Sequence, residues 1–401
     1  MPPVYSPLSW GALRRGFRAM TSRRAYEEAL SEIDDWMRQT FDPATWLWTD
    51  SGTTALTLAL KLAAEKTGSR RVALPAYGCY DLATACDGAD AEVLLYDIDP
   101  STLGPDWNSL ERALDAGAKT IVAAHLYGMP VDMNRARTLA AKAGAVVVED
   151  AAQAIGATLV GRPCGSLGDL SVLSFGRGKG VTSGGGGALL ARDEDWLGAI
   201  AAAAGRLAPG KRGAAALGKS VVQHLLARPS LYRIPAALPF LRLGETIYLP
   251  SSPAGTMSRS AAGVLTGTLR LAVPEMKRRR GNAVELLRIV ATSDHLRPVT
   301  PTPGAEPGYL RLPVVVGDSC RAGTQAVGAG PLGVMPGYPA ALTDLAGFTG
   351  RVLNAAAGFP GARSLAAELV TLPTHDGLME GDLGRLEEWL RGADFLIEES
   401  R

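Results

Sequence analysis

From about residue 46 to residue 190 the chain alternates between two textures. Short apolar runs, "RVALP" (71–75), "EVLLYDID" (92–99), "TIVAAHLYG" (120–128), "AVVVEDAA" (145–152) and "LSVLSFG" (170–176), are separated by longer stretches such as "TTALTLALKLAAEKTG" (53–68) and "MNRARTLAAKAG" (133–144). The runs have the length of strands. The two longer stretches read as helices, each closed by the glycine favoured just past a helix C-terminus. Strands alternating with helices imply βαβ units and a mainly parallel sheet. Runs as unbroken as "AVVV" predict strands buried on both faces. The fold class that follows is α/β, with a large domain whose mainly parallel central sheet is flanked by helices.

The flanks read differently. Residues 8–41 predict helix and form an N-terminal helical arm over 1–45. Residues 191–250 are rich in Ala, Arg and Pro, and from about 205 to 250 they read as an insertion. Its stretch 221–250 mixes Leu, aromatic and basic residues. That mixture predicts packing on the domain or on a partner subunit, with peripheral contact to a membrane surface as the other reading. From about 258 the chain turns helical, and a weaker α+β pattern continues to a last helix starting near 381. The expected division is a large domain over 1–250 and a smaller C-terminal α+β domain over 251–401, which suits a chain of 401 residues.

Bulk properties exclude several function classes. Hydrophobic content of 47% with 20% charged residues describes a globular chain. Lys+Arg of 41 against Asp+Glu of 40, a formal net charge of +1, predicts no nucleic-acid partner. Cys79, Cys86, Cys164 and Cys320 show neither CxxC spacing nor His partners at ligand spacing. No metal site is predicted, and a reduced, cytoplasmic protein is expected. The sequence shows no signal peptide and no apolar run of membrane-spanning length, so no transmembrane segment is expected.

In open α/β sheets ligands gather beyond the carboxyl ends of the strands. Ser51, Gly52 and Thr53 stand at a predicted helix N-terminus, where free N–H groups and the helix dipole make an anion site; an ordinary Ser/Thr cap would look the same. Glu149 and Asp150 end a buried strand, where a carboxylate is costly unless paired. Gln153 follows Asp150 by three positions, which on a helical turn would put the two on one side. His125, near another strand end, is a lesser candidate. The stretch "SFGRGKGVTSGGGGALL" (174–190) sets Lys179 among glycines at 176, 178, 180 and 184–187. It is neither a P-loop, since Leu173 stands where the first Gly belongs and Gly180 where Ser/Thr belongs, nor a G-x-G-x-x-G fingerprint. A flexible turn with a solvated lysine is the plain reading of it alone. Anion cradle, strand-end acid and glycine-turn lysine together suit pyridoxal 5'-phosphate. The helix N-terminus would take the phosphate, the acid would keep the pyridine nitrogen protonated, and the lysine would hold the aldehyde as a Schiff base.

At these residues the sequence resembles the DegT/DnrJ/EryC1/StrS family, sugar aminotransferases of pyridoxal-phosphate fold type I. The pieces that carry the resemblance are "SGTTALTLAL", "LPAYGCYDLATA", "YDIDPSTLGPD", "AAHLYGMPVDM", the long stretch from Glu149 to Leu190 and, late in the chain, "LVTLPTHDGL". The resemblance implies that Lys179 is the Schiff-base lysine and Asp150 the acid facing the pyridine nitrogen. It implies further that Gln153 lies near the ring hydroxyl, that Ser174 contacts the phosphate, and that Gly52 and Thr53 form the phosphate-binding helix start. The position of the family's ring-stacking aromatic is Cys79 here, with Tyr77 or Tyr80 as the alternatives. "AGTMS" (254–258) stands where the family has an Asn that reaches the partner subunit's phosphate, and "SGGGG" lacks the family's Glu. The resemblance implies a homodimer moving nitrogen from an amino-acid donor such as glutamate to a nucleotide-linked keto-sugar. A pyridoxamine-dependent sugar dehydratase and a non-catalytic binding or regulatory relative are the alternatives.

Overall fold

The computed structural model of the chain describes residues 5–226, 248–293, 296–316 and 330–398. Most of the 221–250 stretch, and Cys320, lie outside the described residues. The arm consists of helices α1 (Trp10–Thr21) and α2 (Arg23–Phe41). Ser9 Oγ accepts the Ala12 N–H at 3.1 Å and Ser22 Oγ the Ala25 N–H at 3.3 Å, so each helix begins on a serine cap.

A seven-stranded sheet follows. Its strands are β1 (Thr45–Thr49), β2 (Arg71–Pro75), β3 (Glu92–Tyr96), β4 (Thr120–Ala124), β5 (Val146–Asp150), β8 (Leu170–Ser174) and β9 (Gly187–Ala191), in the order β1-β9-β8-β5-β4-β2-β3. The intervening β6 (Thr158–Leu159) and β7 (Arg162–Pro163) belong to a small three-stranded sheet. The pairs β8/β5, β5/β4, β4/β2 and β2/β3 are parallel, and β9 runs antiparallel to both of its neighbours. The crossovers include α3 (Gly52–Thr67), α4 (Asp81–Gly88), α5 (Trp107–Asp115) and α6 (Met133–Ala143). Gly68 (φ 69°) and Gly144 (φ 59°) end α3 and α6 in the left-handed conformation their residue type allows. Helix α3 is buried on nearly every side, from Thr54 to Leu60 and again at Leu62 and Ala63, because it packs against β8, β9 and α4. Its mostly apolar sequence records that burial.

Beyond the sheet come α7 (Leu197–Arg206) and α8 (Ala214–Leu226), in a stretch whose Ala-rich sequence shows no clear period. Helix α9 (Arg259–Val290) is capped by Ser258 and contains Pro274 in its interior. A second, antiparallel sheet has the order β10 (Leu296–Pro298), β12 (Leu312–Val316), β14 (Leu369–Leu372), β13 (Met335–Pro336); β11 (Ala305–Glu306) joins β6 instead. Helices α10 (Pro360–Glu368) and α11 (Glu380–Glu398) complete this part. The architecture is a large, mainly parallel α/β sheet with flanking helices and a smaller C-terminal α+β portion. Among the described residues no helix is long and apolar enough to cross a membrane.

Candidate active site

Strand direction decides where chemistry can gather. β1, β5 and β8 point the same way, so Ser51–Thr53, Asp150 and Ser174 all emerge at one edge of the sheet. Ser51 Oγ accepts the Thr54 N–H at 3.0 Å and caps α3. The amides of Gly52 and Thr53 belong to the first turn, where no intrahelical acceptor exists, and they carry the positive end of the helix. Ser174 ends β8 directly against them: a Cβ on Gly52 would stand 2.6 Å from Ser174 Cβ and 2.9 Å from its Oγ. Glycine at 52 is therefore required by close approach. Helix amides and a hydroxyl together form an anion cup.

Asp150 ends β5, and its Oδ1 accepts the Ala152 N–H at 3.0 Å. Burial raises its pKa above the ordinary carboxylate value, while that N–H and the charge of Lys179 pull the other way. The carboxylate borders a small cavity shared with Cys79 and Gln153. Gln153 sits in a turn rather than on the helical turn its spacing predicts. Its amide is held at both ends, Oε1 accepting Tyr127 N–H at 2.8 Å and Nε2 donating to Tyr338 Oη at 2.7 Å. Tyr127 adopts φ 55°, a strained backbone for a bulky residue, and the Gln153 bond to its N–H helps hold it there.

Lys179 lies on the turn between β8 and β9. It borders a cleft of about 280 Å3 together with Gln153, Tyr127, Tyr338, Arg177 and Arg279. Arg279 donates to Leu310 O and pairs at 2.8 Å with Glu275, both side chains being about 95% buried. Arg311 also borders the cleft and donates to Thr371 Oγ1 and to the carbonyls of Gly333 and Thr371; burial pushes its pKa down to about 10. The cleft is thus walled by Tyr5, Tyr127 and Tyr338 and lined by the guanidinium groups of Arg177, Arg279 and Arg311.

Lys179, Asp150, Gln153, Gly52, Thr53 and Ser174 are brought to one sheet edge. Tyr77 and Tyr80 follow β2, which runs parallel to β4 and β5, and so leave at that edge too, but to one side of the two cavities. Tyr77 is fully buried, and its Oη accepts the Tyr338 N–H at 2.8 Å; Tyr80 is hydrogen-bonded to the Ala340 backbone. Neither borders the cavities at Asp150 or Lys179, where Cys79 does face Asp150. The stretch 254–258 runs beside the anion cup within the same chain: Asp50 N–H donates to Gly255 O at 2.9 Å, and Thr256 bridges Thr49.

His125 and Glu149 have a different task. With Cys164 they place possible ligand atoms within 4.8 Å of one another. Glu149, however, receives His125 Nε2 and Gly165 N–H on Oε1, and Leu167 N–H, Gly168 N–H and Ser171 Oγ on Oε2. Burial alone would raise its pKa, yet these donors hold it below the ordinary value. His125 Nδ1 accepts the Val131 N–H at 3.0 Å, which assigns the ring proton to Nε2. No lone pair of the pair is left for a cation. The cluster is a structural hub that ties β4, β5 and the 165–171 loop.

Sequence reasoning missed Tyr127, Arg279, Arg311 and Tyr338. They come from loops, α9 and the second sheet, and only tertiary packing brings them to the cleft. His375, which also borders it, lies in the quoted "LVTLPTHDGL" stretch.

The segment carrying this geometry, from β1 through the lysine turn, is also the segment that known proteins share. The chain matches the DegT/DnrJ/EryC1/StrS aminotransferase family over residues 37–213. Within the curated proteins, an L-glutamine:2-deoxy-scyllo-inosose aminotransferase of Streptoalloteichus tenebrarius is 33% identical over 255 residues, 63% of this chain and 54% of that protein. GDP-perosamine synthase of Caulobacter vibrioides is 37% identical over 146 residues, 36% of this chain and 39% of that protein. The match thus spans about half or less of these relatives' length. Solved structures of the same fold include AtS13 from Actinomadura melliaura (TM-score 0.74, 20% identity, 98% of each chain). The sugar aminotransferase CalS13 from Micromonospora echinospora has TM-score 0.74 and 20% identity over 98% of this chain and 99% of that one. At these identities the likeness is one of fold alone, and it runs past residue 213 to the second sheet.

Proposed function

We propose that the chain is a pyridoxal-5'-phosphate-dependent aminotransferase that moves an amino group from an amino-acid donor, glutamate in our reading, to the carbonyl of a nucleotide-linked keto-sugar in polysaccharide or secondary-metabolite synthesis. The observation that carries this reading is the convergence of an anion cup, a half-buried strand-end acid and a glycine-turn lysine on one sheet edge beside an arginine-lined cleft. The names of the two curated relatives support the class.

The residues fit the cofactor on two counts. The cup at Gly52 and Ser174 has no space for a Cβ but presents donors suited to a phosphate. Asp150 is a half-buried carboxylate with a raised pKa at a cavity, and a pyridinium N–H would supply a charge partner there. Cys79 is the departure, since a thiol gives less contact than the aromatic ring of the family. When bound, pyridoxal phosphate supplies an electron sink and a carrier for the donor's nitrogen. Gly52, Thr53 and Ser174 would hold its phosphate, Asp150 its ring nitrogen, and Gln153 its ring hydroxyl. Lys179 Nζ would take the proton from the donor's α-carbon, while Arg177 and Arg279 would orient anionic parts of the substrates.

We read the protein as a cytoplasmic homodimer; Cys79, Cys86 and Cys164 are free thiols, which agrees with a reducing compartment. Incubation with glutamate and a panel of nucleotide-linked keto-sugars, followed by mass spectrometry, tests the reaction. An amino-sugar with matching 2-oxoglutarate is the expected product. A deoxygenated product without nitrogen would favour the dehydratase, and no product across the panel would favour the non-catalytic relative.

A further inference from the structure

The chain's own amino-terminal segment reaches the lysine turn. Ser6, 5% exposed, accepts the Gly178 N–H on Oγ at 2.8 Å, from 172 positions away. Tyr5 stacks on His375, with ring centroids 4.8 Å apart and planes 18° from parallel, and both rings border the Lys179 cleft. Burial, with Glu275 and Asp376 nearby, pushes the Tyr5 phenol up to about 12, so it stays a neutral donor.

The segment departs from a fixed point. Leu8 N–H closes a turn on Ser6 O at 2.8 Å, and Ser9 starts α1. Helix α1 is seated on α9 with no spare room: a Cβ on Gly267 would stand 2.5 Å from Ala12 Cα, and one on Gly263 would stand 2.5 Å from Arg15 O. The turn that it reaches needs an external tie, because glycine at 176, 178 and 180 leaves the backbone around Lys179 with wide freedom, and Gly178 takes φ 81°. The far end of the turn has its own ties. Thr182 Oγ1 donates to Phe175 O and Gly176 O, and Thr268 Oγ1 donates to Thr182 O at 2.7 Å. At the lysine end the tie is Ser6.

We propose that Ser6 is a positioning residue for Lys179. Its hydroxyl orients the Gly178 peptide and hence the direction in which the lysine leaves the backbone, while the Tyr5–His375 stack closes the outer wall of the cleft. Reaction rates depend steeply on such placement. The effect on turnover rests on the aminotransferase reading; the tie itself does not.

Hydrogen exchange on the full-length, cofactor-free chain separates the two. Ser6→Ala is expected to speed exchange of the Gly178 amide by roughly 3–10-fold, as loss of one hydrogen bond implies, with α1 and β8 unchanged. Ser6→Thr, which keeps the hydroxyl, is expected to restore protection. After addition of pyridoxal phosphate, Ser6→Ala is expected to shift the pH midpoint of the visible absorption band and to lower kcat more than it raises KM. Unchanged exchange at Gly178, or exchange raised equally through α1, would overturn the proposal. Faster exchange in a protein that takes up no pyridoxal phosphate would support the tie and sink the cofactor reading instead.

Discussion

A Cβ placed on Gly52 would stand 2.6 Å from the Cβ of Ser174, closer than real side chains approach. One residue opens a helix and the other ends a strand, and both are fixed by the sheet. The Gly52→Ala variant must therefore push α3 away from β8. Overpacking of this kind costs about 1–3 kcal/mol, and the displaced amides no longer meet a phosphate squarely. The expected result is a melting temperature lowered by a few degrees and an affinity for pyridoxal phosphate reduced by at least ~10-fold, measured by thermal denaturation and absorbance titration. Wild-type affinity in a destabilised Gly52→Ala protein would place the phosphate elsewhere.

Asp150 carries a stability cost beside its proposed role at the cofactor. Its folded-state pKa is raised by burial above 3.8. The folded form therefore binds more protons than the unfolded chain in the window between that value and the raised one, and stability falls as pH rises through it. Asp150→Asn in cofactor-free protein is expected to melt at or above the wild-type temperature at pH 7, with the gain disappearing below about pH 4. The same variant with cofactor is expected to lose roughly 10²–10³-fold in kcat. A cofactor-free variant less stable than wild type at pH 7 would show that the carboxylate has a charge partner of its own.

Glu149 has the opposite sign. Its pKa is held below 4.5 by five donors, so its contribution is full above that value and lost as pH falls through the lower, folded one. Glu149→Gln would turn an NH2 group toward at least two of those donors. Breaking a buried charged hub costs about 3–5 kcal/mol, readable as a shifted denaturant midpoint.

Cys79 borders the Asp150 cavity, and its surroundings disfavour the thiolate. Burial, with Asp81 adding to it and Lys179 opposing, pushes its pKa up to about 12. Alkylation by iodoacetamide at pH 8 is expected to be at least ~10²-fold slower at Cys79 than at a model thiol, because the thiolate is the nucleophile. Peptide mapping checks this, and rapid labelling at Cys79 would contradict the packing described.

The parallel strands were legible because burial on both faces writes an unbroken apolar run, as in Val146–Val148, and α3 and α6 because a glycine closes each. β1 and β9 were not singled out as strands. β1 is five residues with two tryptophans, whose indoles both donate to Asp34, and β9 begins inside the glycine run. At the site, Asp150 and Ser174 could be read because each lies at the end of a strand that the sequence announces, Gly52 because it opens a helix that the sequence announces, and Lys179 because glycines surround it. Arg279, Tyr338 and Tyr5 could not, since their place depends on how α9, the second sheet and the amino-terminal segment pack on the first sheet.

The most direct test of the central claim is the visible absorption spectrum of the purified protein with pyridoxal phosphate, beside that of Lys179→Ala. The account predicts a band in the wild type that an amino donor bleaches and that the variant does not form. No band in the wild type, or the same band in the variant, would contradict it and leave Lys179 a lysine in a glycine turn.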